Sequence, residues 1–241
     1  MALLRAEVRR ILGRRGSIAG AVVFNLLFAV GVLIWALTAD SATGDAALSD
    51  GAGLLQVSLA IASIVLGAVA GSWDVDHGTM RYLVLTGVPR PKLALVRAPG
   101  LAIAIVVVSL PAIVVVLLAA AVAPAPGPQG SDGFVDLFYG VWVAGIAYGL
   151  LSLTIGTFLK SSTVAITVAL LVNLLGSQIA SLIQDKVSHT FGDLLFSEAA
   201  RIVIGREHHD VLSLGVAVLV LLAWLVALLG AAALRVQRAE Y

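Results

Sequence analysis

The chain has no cysteine, which excludes both a disulfide framework and a thiolate metal site and leaves the redox compartment open. Charge is scarce as well: Asp, Glu, Lys and Arg make up 12% of the 241 residues, about half the usual ~25%. No lysine follows a glycine in a phosphate-binding loop, since Lys92, Lys160 and Lys186 come after Pro91, Leu159 and Asp185. This polypeptide therefore has no P-loop for ATP. Neither H-E-x-x-H nor G-x-S-x-G occurs. Of the four histidines, His208 and His209 are adjacent and cannot share a helix face. They are read, with His77 and His189, as solvated loop residues, so no metal site is expected. No acidic residue lies deep in an apolar run, where an ion-coupled carrier needs one; Asp136 comes nearest, at a helix start.

What the chain does have is apolar sequence. The hydrophobic fraction is 60% and the mean hydropathy +1.06. Six runs stand out, at residues 18–37, 54–73, 98–122, 137–159, 163–182 and 211–234. Each is near the ~20 residues that carry a helix across a ~30 Å hydrocarbon core. Inside lipid each run must close its own backbone hydrogen bonds, and the alternation of a β-barrel strand is absent. The expected fold is all-α: one transmembrane domain over residues 1–241 with six membrane-spanning helices. The first run exceeds the 7–15 residues of a signal-peptide core, so it is read as an uncleaved helix.

The charges then orient the chain. With six spans both termini share a side, and that side takes Arg5, Arg9, Arg10, Arg14, Arg15, Arg81, Arg90, Lys92, Arg97, Lys160, Arg235 and Arg238. The opposite side keeps only Lys186, Arg201 and Arg206. A cation excess of this kind marks the cytoplasmic side, so a multi-pass protein of the cell membrane with both termini in the cytoplasm is expected. Residues 1–16 place Leu4, Val8, Ile11 and Leu12 on one face of an amphipathic helix among arginines, the pattern of an interfacial helix. Pro99 suits a first helical turn, whereas Pro111 falls mid-span. Residues 123–133, APAPGPQGSDG, cannot continue a helix. Residues 185–210 lie on the outer side and are apolar enough in the middle for a short re-entrant or interfacial helix.

Polar groups within the spans need partners in hydrocarbon. Asn173, Ser177, Ser181 and Gln184 form one stripe on the fifth span; Gln56 and Ser63 share a face of the second, and Asn25 sits in the first. Two readings stand: a translocation path or subunit seam, and hydrogen bonding between helices of one bundle. The pairs Gly67/Gly71 and Gly145/Gly149 have the G-x-x-x-G spacing of close helix crossings. With 24 glycines, chance alone supplies roughly two such pairs, so the pattern carries almost no information.

The most specific stretch is residues 74–97, DVDHGTMRYLVLTGVPRPKLALVR, between the second and third spans. Two acids, Gly-Thr, an apolar stretch and Pro-Arg occur in an order that resembles the cytoplasmic signature of ABC-2 type permeases, E-x-E-x-G-T followed by L-L, P/G-V and R. Asp74, Asp76, Gly78, Thr79, Leu83, Leu85, Val88 and Arg90 fall on it, with aspartates in place of glutamates and Arg97 where lysine is frequent. The arginine-rich start with Glu7, Arg9 and Arg10 looks like the family's interface helix.

The resemblance implies a membrane subunit of an ATP-driven exporter. Two permeases, a second copy or a homologous chain, would pair in the lipid bilayer, each docking an ABC ATP-binding subunit. ATP and magnesium would sit on that partner and no cofactor on this chain. Asp74, Asp76, Gly78, Thr79, Arg81, Arg90 and Lys92 would form the coupling helix. The cargo would be a lipophilic or amphipathic compound, and no nucleic acid is expected. Rival readings are a membrane enzyme or assembly factor acting through residues 185–210, and an ion-coupled secondary transporter.

Overall fold

A computed structural model describes residues 2–39, 41–76, 89–125, 131–186, 192, 194–205 and 213–238. Among them the chain is 92% helical and contains no strand. Helix α1 is Ala2–Leu12, α2 Arg15–Thr38, α3 Gly44–Asp76, α4 Arg90–Val122 and α5 Ser131–Val135. A π-helical turn, Asp136–Gly140, leads from α5 into α6, Val141–Leu159; α7 is Ser162–Lys186, α8 Phe196–Gly205 and α9 Leu214–Arg238. Among the described residues six stretches are long and apolar enough to cross a membrane: Arg15–Thr38, Gly44–Trp73, Lys92–Val122, Gly133–Leu159, Ser162–Lys186 and Leu214–Gln237. The protein is thus an all-α, multi-pass membrane protein.

Several helices run beyond the apolar stretches that announce them. The second span begins at Gly44 and not at Leu54, because Thr43 caps it: its Oγ1 accepts the Ala46 N–H at 3.1 Å, satisfying one of the first-turn donors. Ala47, Leu48 and Ala52 on this added stretch are buried. The third begins at Arg90, with a proline in its first turn. Pro99 consequently lies in the helix interior beside Pro111, not in the first turn; Pro91 takes the place at which a missing N–H costs nothing. Residues 131–133 of the proline-rich connection are also helical.

Two spans form the centre. The spans formed by α3 and α6 are mostly buried within the bundle, whereas α2, α7 and α9 leave most of their residues on its outside. The two G-x-x-x-G pairs judged uninformative above line this seam. A Cβ on Gly67 would run into the carbonyl oxygen of Gly149, and one on Gly71 into that of Leu153. Gly145 lies against Leu59 and Ile105, where an added Cβ would find side-chain carbons at 2.9 Å. Farther down α6, an added Cβ on Gly156 would meet the Ala68 oxygen at 2.8 Å. Backbones approach this closely only where side chains are missing, the small-residue mode of packing in lipid. A third pair at the same spacing, Gly16/Gly20 on α2, faces open space, with nothing within 4 Å of an added Cβ.

Around this pair α2 and α4 pack on one side. Asn25 donates to the Ala21 oxygen at 2.7 Å and accepts from Ser58 Oγ of α3 at 2.9 Å, and Trp142 Nε1 of α6 donates to Ser109 Oγ of α4 at 3.0 Å. On the other side α8 is sunk among the spans. Its Phe196, Ala199, Ala200, Ile202 and Val203 join a buried cluster with Ile64 of α3, Tyr148 of α6 and Leu221 of α9. The spans α6 and α7 are joined by a two-residue turn in which Lys160 adopts φ 54°, ψ 20°. It is the one described non-glycine residue with positive φ.

Candidate functional site

A polar concavity lies between α3, α6, α7 and α8. It has a volume of about 370 Å³, and its polar wall is made by Gln56, Tyr148, Asn173, Ser177, Ser197 and Arg201. Each element contributes for a local reason. Gln56 of α3 fits because the π-helical turn ends in Gly140, whose missing side chain leaves room for the amide, and the Ile204 carbonyl faces the same spot. Such π turns inside longer helices frequently mark functional positions. Asn173 and Ser177 sit one helical turn apart on α7, the spacing that puts both on one face. Tyr148 of α6 stacks edge-on against Phe196 of α8, with ring centroids 5.7 Å apart, and its hydroxyl faces the Asn173 amide.

Depth follows from helix rise. Tyr148 is eleven residues from the end of α6 at Leu159, and Asn173 eleven from the start of α7 at Ser162. At 1.5 Å per residue both lie about 16 Å from that end, near the middle of a ~30 Å core. Gln56 lies farther along, toward the end from which α8 enters.

The charged member of the wall is Arg201. Its Nε and Nη2 donate to Glu198 Oε1 at 3.1 and 2.5 Å. The Glu198 side chain is 5% exposed and that of Arg201 43%. The carboxylate is therefore buried and orients the guanidinium of Arg201, which lines the cavity. A buried carboxylate needs such a partner, because removing a charge from water without one is costly.

Of the polar span residues singled out in the sequence, Gln56, Asn173 and Ser177 meet here. The others do not. Asn25 is absorbed in the α2–α3 hydrogen bond. Ser63 is fully buried in the α3–α6 seam, where its hydroxyl has no hydrogen-bond partner. Ser181 is exposed and donates back to the Gln178 oxygen at 2.9 Å, and Gln184 packs where Gly192 comes closest to α7. Tyr148, Ser197, Glu198 and Arg201 were not singled out. The i,i+3 spacing of Glu198 and Arg201 within an otherwise apolar segment is the signal that reveals such a pair.

The opposite end of the bundle carries the connection between α3 and α4. Arg14 Nη1 donates to the Val69 oxygen at 3.0 Å, and its guanidinium lies 4.6 Å from the centre of the Trp73 ring. Arg97, 4% exposed, reaches the Gly71 oxygen at 3.4 Å. Two cations thus grip the last turns of α3, where the helix dipole is negative. In α1, Glu7 is buried against Gly100 of α4 and accepts from Arg10 Nη2 at 2.6 Å, whereas Arg9 is exposed. Asp74 and Asp76 belong to the final turn of α3, Arg90 opens α4, and Lys92 is exposed in its first turn. Gly78, Thr79 and Arg81 lie outside the described residues, as do His77, His189, His208 and His209. No group of three or more His, Asp or Glu side chains able to hold a metal occurs among the described residues. No family model matches the chain, and no curated protein is similar to it.

Proposed function

We propose that this chain is the permease subunit of an ATP-driven ABC-2 type exporter, moving a lipophilic or amphipathic compound out of the cytoplasm or inner leaflet. The observation that carries this reading is the α3–α4 connection. An order of residues resembling the family's coupling signature joins two helix ends that Arg97 of α4 ties together at the Gly71 oxygen, while Arg14, in the α1–α2 turn, holds α3 at Val69. A coupling element must be anchored on helices that move as units, and a stiff α3 packed backbone-to-backbone on α6 transmits displacement across the bilayer. Work done by a separate ATPase on the cytoplasmic side would then reach the cavity at Gln56, Tyr148 and Asn173. The partner would hold ATP and magnesium, and a second permease would complete the passage. Both termini would be cytoplasmic in the cell membrane.

The test is affinity purification of the full chain from native membranes with ATPase rate measured. Co-recovery of a P-loop protein is expected, and its association should be lost on Gly78→Pro or Asp74→Lys. Recovery of the chain alone, active on a substrate without ATP, would overturn the reading in favour of an enzyme. In the assembled complex, Asn173→Asp and Ser177→Asp should depress transport; unchanged transport would remove these residues from the path.

A further inference from the structure

A second cavity lies on the far side of the contact between α7 and α8. It is apolar, about 270 Å³ in volume, and walled by Leu151, Val172, Ile179, Phe196, Trp224 and Leu228. Ser197 and the Gly176 backbone form the partition. Ser197 lines both cavities, and a Cβ on Gly176 would lie 2.5 Å from Ser197 Cβ. Only a glycine lets α8 sit this close, so the partition is one contact thick. We propose that the two cavities are compartments of one binding site for an amphipath with an anionic head, a carboxylate or phosphate, and a hydrocarbon chain.

The head compartment selects charge. Of the described residues on its wall only Arg201 is ionic, and its buried partner Glu198 is not part of the wall. A guanidinium oriented by a fixed carboxylate is suited to a planar or tetrahedral oxyanion, to which charge-assisted hydrogen bonds are roughly twice as strong as neutral ones. The Gln56 and Asn173 amides and the Ser177 hydroxyl supply neutral donors for the remaining oxygens. An arginine that lines a cavity among membrane-spanning helices marks a ligand pathway by default. The chain compartment offers only hydrocarbon and the Trp224 ring, whose Nε1 is occupied by the Leu194 oxygen at 2.8 Å. A small outward shift of α8 from α7 at Gly176 joins the two. The proposal names the cargo class of the export reading and rests on it for the direction of movement; the binding itself needs no ATPase.

The probe is 9,10-dibromostearate, whose carboxylate matches Arg201 and whose bromines quench tryptophan. The full chain is placed in phosphatidylcholine nanodiscs, and the Trp224 contribution is obtained by difference from Trp224→Phe. The acid is expected to quench Trp224 saturably and its methyl ester only in proportion to partitioning. Glu198→Gln combined with Arg201→Gln leaves no unpaired buried carboxylate and should raise the half-quenching concentration at least ~10-fold. Equal quenching by acid and ester overturns the proposal, and does so on the native chain even if the double variant does not fold. Equal quenching in a folded double variant overturns it too. Brominated phosphatidylglycerol built into the nanodisc, with no added acid, separates the sources. Quenching that depends on Arg201 there identifies a bilayer lipid as occupant, and quenching by the added acid alone identifies a free cargo. Saturable quenching with no P-loop partner recovered leaves the site standing and removes the export reading; a recovered partner without acid-selective quenching does the reverse.

Discussion

The α3–α6 seam and the inner face of α7 are built from the same kinds of residue, glycine, serine and small apolar side chains, and they are put to opposite uses. In the seam, glycines bring backbone against backbone, and the hydroxyl of Ser152 is satisfied by the Ile64 oxygen at 2.7 Å. On α7, Gly176 admits α8, and Asn173 and Ser177 face a cavity. A small or polar residue in an apolar helix therefore has no fixed meaning. What the facing helix offers decides it: a carbonyl and another glycine make a joint, and a guanidinium across an open space makes a site.

The largest effect that would break this comparison is a single methyl in the seam. Gly67→Ala drives a Cβ into the Gly149 carbonyl oxygen, a backbone atom that cannot swing aside. We expect destabilisation at or above the ~3 kcal/mol upper range of ordinary overpacking, read as a lowered thermal midpoint and loss of monodisperse protein. The matched control is Gly20→Ala, with nothing within 4 Å. There alanine should be neutral or stabilising by up to about 1 kcal/mol, through helix propensity alone. Equal effects at both sites would mean that the seam is not packed backbone-to-backbone.

Intermediate effects separate satisfied from unsatisfied polar groups. Asn25→Ala removes an acceptor and a donor buried between α2 and α3 and should cost about 1–2 kcal/mol. Ser63→Ala, at a buried hydroxyl without a partner, should cost nothing and is expected to stabilise by a few tenths up to about 1 kcal/mol, since an unmet polar group is removed. Asn173→Ala should leave thermal stability nearly unchanged, while altering quenching by the brominated acid. A large stability loss there would turn α7's stripe into a structural joint like the seam.

Much of this architecture is legible in the sequence, for identifiable reasons. The six spans can be read because hydropathy summed over some twenty residues is a local property. The proximity of Asn173 and Ser177 can be read because i,i+4 spacing fixes a face. What occupies that face cannot. Ser181 and Gln184 continue the same stripe, yet the cavity stops short of them, and Gln184 meets Gly192 instead. The seam was hidden because glycine spacing is common by chance and only tertiary pairing distinguishes Gly67/Gly71 from Gly16/Gly20. The start of α3 was hidden because Asp45, Asp50, Gly51 and Gly53 lower the hydropathy of a segment held by the Thr43 cap and by buried Ala47 and Leu48.

A further small effect is expected where the two regions join. Lys160 ends α6, the seam helix, and with Ser161 turns the chain directly into α7, the cavity helix. Its φ of 54° places an L side chain in the left-handed region, at the position after a helix where glycine is ordinarily found. The Lys160 N–H still closes onto the Gly156 oxygen at 3.0 Å, the Ser161 carbonyl accepts the Ala165 N–H at 3.1 Å, and the Ser161 Oγ accepts the Val164 N–H at 3.5 Å. The turn is thus hydrogen-bonded on both sides, and the left-handed backbone of Lys160 is strained by its Cβ. Lys160→Gly removes that strain but adds freedom to the unfolded chain, two terms that oppose each other. The net should be a gain of no more than about 1 kcal/mol, seen as a slightly raised thermal midpoint with quenching by the acid unchanged. Lys160→Pro cannot reach φ 54° and should instead disconnect the two helices, costing several times as much. If glycine lowered the midpoint, the lysine side chain and not the backbone would be holding the turn, and the rigid link by which the seam positions the cavity would have to be sought in that side chain's contacts.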